Sequence, residues 1–178
     1  MRISVMVRVK RLRWFALFVL VLVMSGCSYM SVKHLENNPL SFDRKEELEM
    51  RFWNFVYVNN AVNDNYLLQG TAYPRMEVIP GWGSWIHNMR ISSYLSDDQG
   101  RVLASDSTVY PTTELDPEQG VQFEFFLKPE RISPEKETFI TFGYNMQITE
   151  DRFVDPTMDP PLTGERSVFF ASEGALSR

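Results

Sequence analysis

From Met50 onward, apolar and polar residues alternate along this chain with a period of two. Met50, Phe52, Val56 and Val58 alternate with Arg51, Trp53, Phe55, Tyr57 and Asn59. Apolar residues on both parities predict a strand covered on both faces. Asn59 to Asn65 is a run of turn formers, and Tyr66 to Tyr73 reads as the next strand, ending at Pro74. Val78 to Ser84 is punctuated by proline and glycine and predicts a loop. Trp85 to Ser96 follows as a strand with Trp85, Met89, Ile91 and Leu95 on one parity, which places Trp85 in the core. Asp97-Asp98-Gln99-Gly100 is a tight turn and Arg101 to Tyr110 the return strand, the clearest hairpin in the chain. Val121 to Leu127 and Ile140 to Ile148 alternate as half-buried antiparallel strands do. Ser167 to Ala171 is a last short strand, after a three-proline stretch, Asp155 to Gly164, that predicts irregular chain. Phe42 to Glu49 is charged and fits a short helical turn or the lead-in to a strand.

About seven strands and no amphipathic helix predict an all-β domain. An antiparallel β-sandwich of immunoglobulin-like form is the expected architecture, with a small β-barrel as the alternative.

The first residues follow a different pattern. Arg2, Arg8, Lys10, Arg11 and Arg13 precede an unbroken apolar run from Trp14 to Met24, and Ser25, Gly26 and Cys27 follow it. That is the order of a secretory signal peptide. As a helix the run measures about 16 Å at ~1.5 Å per residue, well short of the ~30 Å bilayer core. Met24-Ser25-Gly26-Cys27 resembles the lipobox of bacterial lipoproteins, with Met24 where Leu is commonest. The resemblance implies a diacylglyceryl thioether on Cys27, cleavage before it and acylation of the new amino terminus. Ser28 stands where such lipoproteins carry Asp when retained at the inner membrane, so the resemblance favours the outer membrane, facing the periplasm, in a Gram-negative host. The expected organisation is a signal peptide over 1–26, a lipidated polar tether over 27–40, one β-sandwich domain over 41–172 and a frayed tail over 173–178.

Charge changes the picture of partners. The chain carries 18 Lys and Arg against 23 Asp and Glu. Removal of residues 1–26 takes away five basic residues and no acidic one, which moves the net charge from −5 to −10. So acidic a domain is a poor ligand for nucleic acid, which requires a basic footprint.

Candidate chemistry is sparse. Cys27 is the single cysteine, and lipidation consumes its thiol. The two histidines, His34 in the tether and His87 on a strand, are too few for a zinc site, and His87 reads as a strand histidine rather than a catalytic base. Asp97-Asp98 suits turn chemistry, and Glu46-Glu47 offers adjacent carboxylates. Asp155 and Asp159 lack the ligand spacing of a calcium loop. Trp82, between Gly81 and Gly83, is the candidate contact for a sugar ring or a partner pocket, unless it folds back over the end of the sandwich.

The hairpin Leu95–Leu103, with Leu115-Asp116-Pro117-Glu118 and the strand Val121–Leu127, is similar to the FxLYD-type immunoglobulin-like domains of secreted prokaryotic proteins. Leu95, Asp97, Gly100, Leu115, Pro117 and Phe123 carry that likeness over residues 52–148, whereas Ser93, Ser96 and Glu118 depart from it. It implies a sandwich and no catalytic residue. The functional expectation is a membrane-anchored, non-catalytic interaction module with an envelope protein partner and no cofactor. The alternatives are a carbohydrate- or peptidoglycan-binding module using Trp82 and, more remotely, an envelope hydrolase.

Overall fold

The computed structural model describes residues 29–63, 65–129, 137–152 and 168–177. Cys27, Asp155 and Asp159 lie outside the described residues, as does the three-proline stretch. The described chain forms twelve strands and no helix. In order they are β1 (Met30–Ser31), β2 (Asn38–Pro39), β3 (Lys45–Glu49), β4 (Trp53–Val62), β5 (Asn65–Pro74), β6 (Trp85–Asp97), β7 (Val102–Val109), β8 (Thr113–Glu114), β9 (Val121–Leu127), β10 (Thr138–Thr149), β11 (Val168–Glu173) and β12 (Leu176–Ser177). The charged stretch before Met50 resolves as a strand, β3, because Leu48 gives it one buried anchor against β4.

Two antiparallel sheets pack face to face. One runs β3-β4-β5-β9 and the other β11-β10-β6-β7, with β2 added to β10 and β8 to β6. The sheets do not close on each other, so the architecture is a β-sandwich and not a barrel. β5 and β9 are neighbours in the first sheet, while β6 and β10 are neighbours in the second. The chain therefore crosses between sheets four times, after β2, β5, β8 and β9, and these crossings tie the layers together.

The core between the layers is aromatic. The rings of Phe55 on β4 and Phe142 on β10 stack at 4.3 Å, nearly parallel, while Tyr57 meets Phe142 edge-on and Phe123 of β9 leans against it. The buried Trp53 indole donates to Met146 Sδ at 3.2 Å. Full burial of each such side chain contributes about 1.5–3 kcal/mol, and with no disulfide available the fold rests on this layer.

Two expectations are corrected. Residues 29–40 are a strap docked on the second sheet and not a free tether. Ser31, Val32 and Leu35 are buried. The Val32 amide donates to the Gly100 carbonyl and the Leu40 amide to the Thr138 carbonyl, both at 2.8 Å. The Thr141 hydroxyl donates to the Glu36 carbonyl. The tail is likewise paired: Leu176 and Ser177 form β12 against β1, in the register Met30↔Ser177 and Ser31↔Leu176. Both segments are too short to show a hydrophobic period, and their partners lie far away in sequence.

Candidate functional site

Three regions gather the chemistry that the sequence singled out. The first is the end of the sandwich where the described chain starts. The β6–β7 hairpin there is closed by Asp97, whose Oδ1 accepts from the Gln99 and Arg101 amides at 3.0 and 2.8 Å. Gly100 sits at φ +74, and a Cβ there would lie 2.7 Å from the Lys33 backbone. Glycine thus supplies both the turn and the room for the strap to cross it. Ser31 bridges to Arg101, whose guanidinium lies 5.1 Å from the centre of the Tyr29 ring. The carboxylate pair Asp97-Asp98 is accounted for by this turn.

The second region is the opposite end, built from the 75–84 loop, β8 and the start of β6. Trp82 is half-buried and packs against the core. A Cβ on Gly83 would fall 2.6 Å from the Ile148 side chain, so the glycine lets the loop press down on the core and carry the indole with it. A sugar-binding platform needs a free ring face, and this packing occupies part of the ring. Met76 and Val78 on the same loop are exposed.

Trp85 is corrected: it is half-buried on the outer side, with the Arg152 guanidinium 5.3 Å from its ring. The cause is a β-bulge. Between the pairs Asn145↔Arg90 and Gln147↔His87, two residues of β6 oppose one of β10. Asn88 takes φ +51 there. The extra residue inverts the parity, so Ile86 enters the core in line with Met89 and Ile91. No period-two reading contains that switch.

The bulge also settles His87. Its Nδ1 lies 3.1 Å from Thr112 Oγ1 and its Nε2 2.8 Å from Thr149 Oγ1. Thr149 donates its own proton to the Asp151 carbonyl at 2.7 Å, so the His87 Nε2–H must be the donor to Thr149. The ring is buried and satisfied at both nitrogens, joining β6, the chain before β8 and the end of β10. His34 is exposed on the strap.

The third region is a shallow groove of about 740 Å³ on the outer face of the first sheet, lined by Asn60, Gln69, Thr71, Tyr110, Gln122 and Glu124 among others. Gln69 donates to Glu124 across β5 and β9 at 2.6 Å. Burial pushes the Tyr110 hydroxyl up to about 12. At the edge of β9, Asp106 Oδ2 accepts from the Phe126 amide at 2.8 Å and ties β7 to β9.

Glu46 and Glu47 face opposite sides of β3. Glu46 is paired with Arg44 and accepts from Ser41, while Glu47 accepts from Asn54, so they form no joint site. Among the described residues, no three His, Cys, Asp or Glu side chains converge as a metal site requires. Sequence reasoning missed Phe170, which is 70 % exposed on β11. In register it lies beside Gln147, with Val168 beside Thr149. A short apolar strand gives no sign of which residue faces solvent.

Compared with known proteins, the chain matches no family model, no curated protein and no solved structure.

Proposed function

We propose that this protein is a lipid-anchored extracytoplasmic lipoprotein whose β-sandwich is a non-catalytic interaction module of the cell envelope. The single observation that carries the reading is the leader: five basic residues, an eleven-residue apolar run and Ser25-Gly26-Cys27 at its end. The domain supports it in one respect. Ser31 and Val32 are already buried, and a chain cleaved before Cys27 keeps all twelve described strands. The crossing pair of strands, β5 beside β9 and β6 beside β10, supports an immunoglobulin-like reading of the sandwich, in which strands B and E neighbour each other in one sheet and C and F in the other.

For the partner contact we favour the outer edge of β11. Phe170 and Val168 are exposed there on a strand that pairs on one side only among the described residues. An open strand edge bearing an exposed aromatic suits strand addition by a partner.

Mass spectrometry of the mature amino terminus, with membrane fractionation, tests the anchor. A diacylated or triacylated Cys27 in the membrane fraction is the expected result, and a chain retaining residues 1–26 or a free Cys27 thiol refutes it. Photo-crosslinking from position 170 in intact envelopes should capture one specific protein, lost in Val168→Asp; no adduct above that of a probe at Gln122 refutes the β11 contact.

A further inference from the structure

We infer that the β1/β12 ribbon is the membrane-facing surface of this domain and rests in the headgroup region of the bilayer that holds its anchor. The inference deepens the lipoprotein reading and rests on it. A free tether from Cys27 to residue 40 spans up to about 45 Å at ~3.5 Å per residue. With the strap docked from Tyr29 onward, only Ser28 stands between Tyr29 and the acylated cysteine, two steps of the chain and a reach of about 7 Å on the same measure. The acyl chains of Cys27 lie in the hydrocarbon layer, so the ribbon is drawn down to the lipid surface.

What stands there suits that surface. Tyr29, Met30 and Leu176 are 40, 45 and 51 % exposed. Met30 and Leu176 belong to successive pairs of the ribbon, so they point to opposite sides of it. A ribbon entering tip-first therefore presents apolar groups on both faces. Tyr29 is a residue type enriched at the membrane–water boundary. Arg101 lies over its ring, a long side chain able to keep its charge in the headgroups while its stem covers apolar surface. Lys33 crosses the hairpin beside it. Of the two carboxylates in the hairpin turn, Asp97 is turned back onto the Gln99 and Arg101 amides, while Asp98 is exposed. The 75–84 loop lies at the other end of β6, whose 13 residues extend about 40 Å at ~3.3 Å each.

The test uses the full mature lipoprotein in vesicles of phosphatidylethanolamine and phosphatidylglycerol. Thioether formation blocks Cys27, so an introduced cysteine is the only free thiol. Leu176→Cys and Met30→Cys each carry an environment-sensitive fluorophore. Gly81→Cys serves as the distant control, since a Cβ there meets nothing within 4 Å. The expected result is a blue shift at 176 and 30, with loss of emission when headgroup-level nitroxide lipid is added, and neither change at 81. A protein that floats with the vesicles yet shows no quenching at 176 or 30, or equal quenching at all three sites, overturns the docking surface alone. A protein that fails to float overturns the anchor and the docking surface together.

Discussion

Truncation of Leu35 to alanine separates a docked strap from a free tether. Leu35 is 7 % exposed, and its amide donates to the Val32 carbonyl at 2.9 Å, so the backbone turn holds the side chain against the core. Leu35→Ala removes three carbons, about 2.4 kcal/mol at ~0.8 kcal/mol per buried methylene. Part of the cavity can collapse at the rim of the sandwich, which places the total near the lower end of the 2–5 kcal/mol range for such truncations. For a chain of this length that lowers the melting temperature by roughly 5–10 °C, and at a urea slope of about 2 kcal/mol/M it lowers the midpoint by about 1.2 M. The assay is urea unfolding of the mature chain followed by tryptophan fluorescence, where the buried Trp53 reports the core. Lys33→Ala, on the exposed side of the same strap, is the control and should stay within about 0.5 kcal/mol. A Leu35→Ala loss as small as the control's would refute the docking of the strap, and with it the short reach to the membrane.

Three further outcomes follow from the geometry. The Ser93 hydroxyl is buried with no hydrogen-bond partner among the described residues, so Ser93→Ala should raise stability by about 1 kcal/mol; a fall of that size in urea unfolding would show a bond unaccounted for. Asn88 holds φ +51 at the bulge, so Asn88→Val should cost about 1–2 kcal/mol while Asn88→Gly stays within about 0.5 kcal/mol; equal losses in thermal unfolding would refute the backbone argument. The Tyr110 hydroxyl moves from an ordinary 10.0 up to about 12 by burial. Its protonated form is thus favoured in the folded state, and the stability it contributes is fully present below pH 10 and lost as pH rises towards 12. Tyr110→Phe should flatten that alkaline loss, and a Tyr110 that titrates near 10 by ultraviolet absorbance contradicts it.

What the sequence by itself determined was everything carried by neighbours a few residues apart. Val121–Leu127 is a strand with the bounds its alternation predicts, and Asp97 to Gly100 closes its hairpin because turn chemistry is local. The basic residues, apolar run and Ser25-Gly26-Cys27 on which the lipoprotein proposal rests are a local pattern of the same kind. Tertiary structure decided where contacts span long stretches of chain. Strap docking depends on the Glu36–Thr141 bond, 105 residues apart, and Trp53 finds its sulfur acceptor 93 residues away. The bulge at Asn88 exists only in the pairing of β6 with β10, so the outward turn of Trp85 and the seating of His87 between two threonines could not be read from β6 alone. Trp82 drew notice as a loop indole between glycines, but how much of its ring faces solvent depends on Gly83 letting the loop settle onto Ile148. A strand's period records that one face is apolar. Which residue crosses from one face to the other is decided by the strand opposite, because only pairing fixes the register.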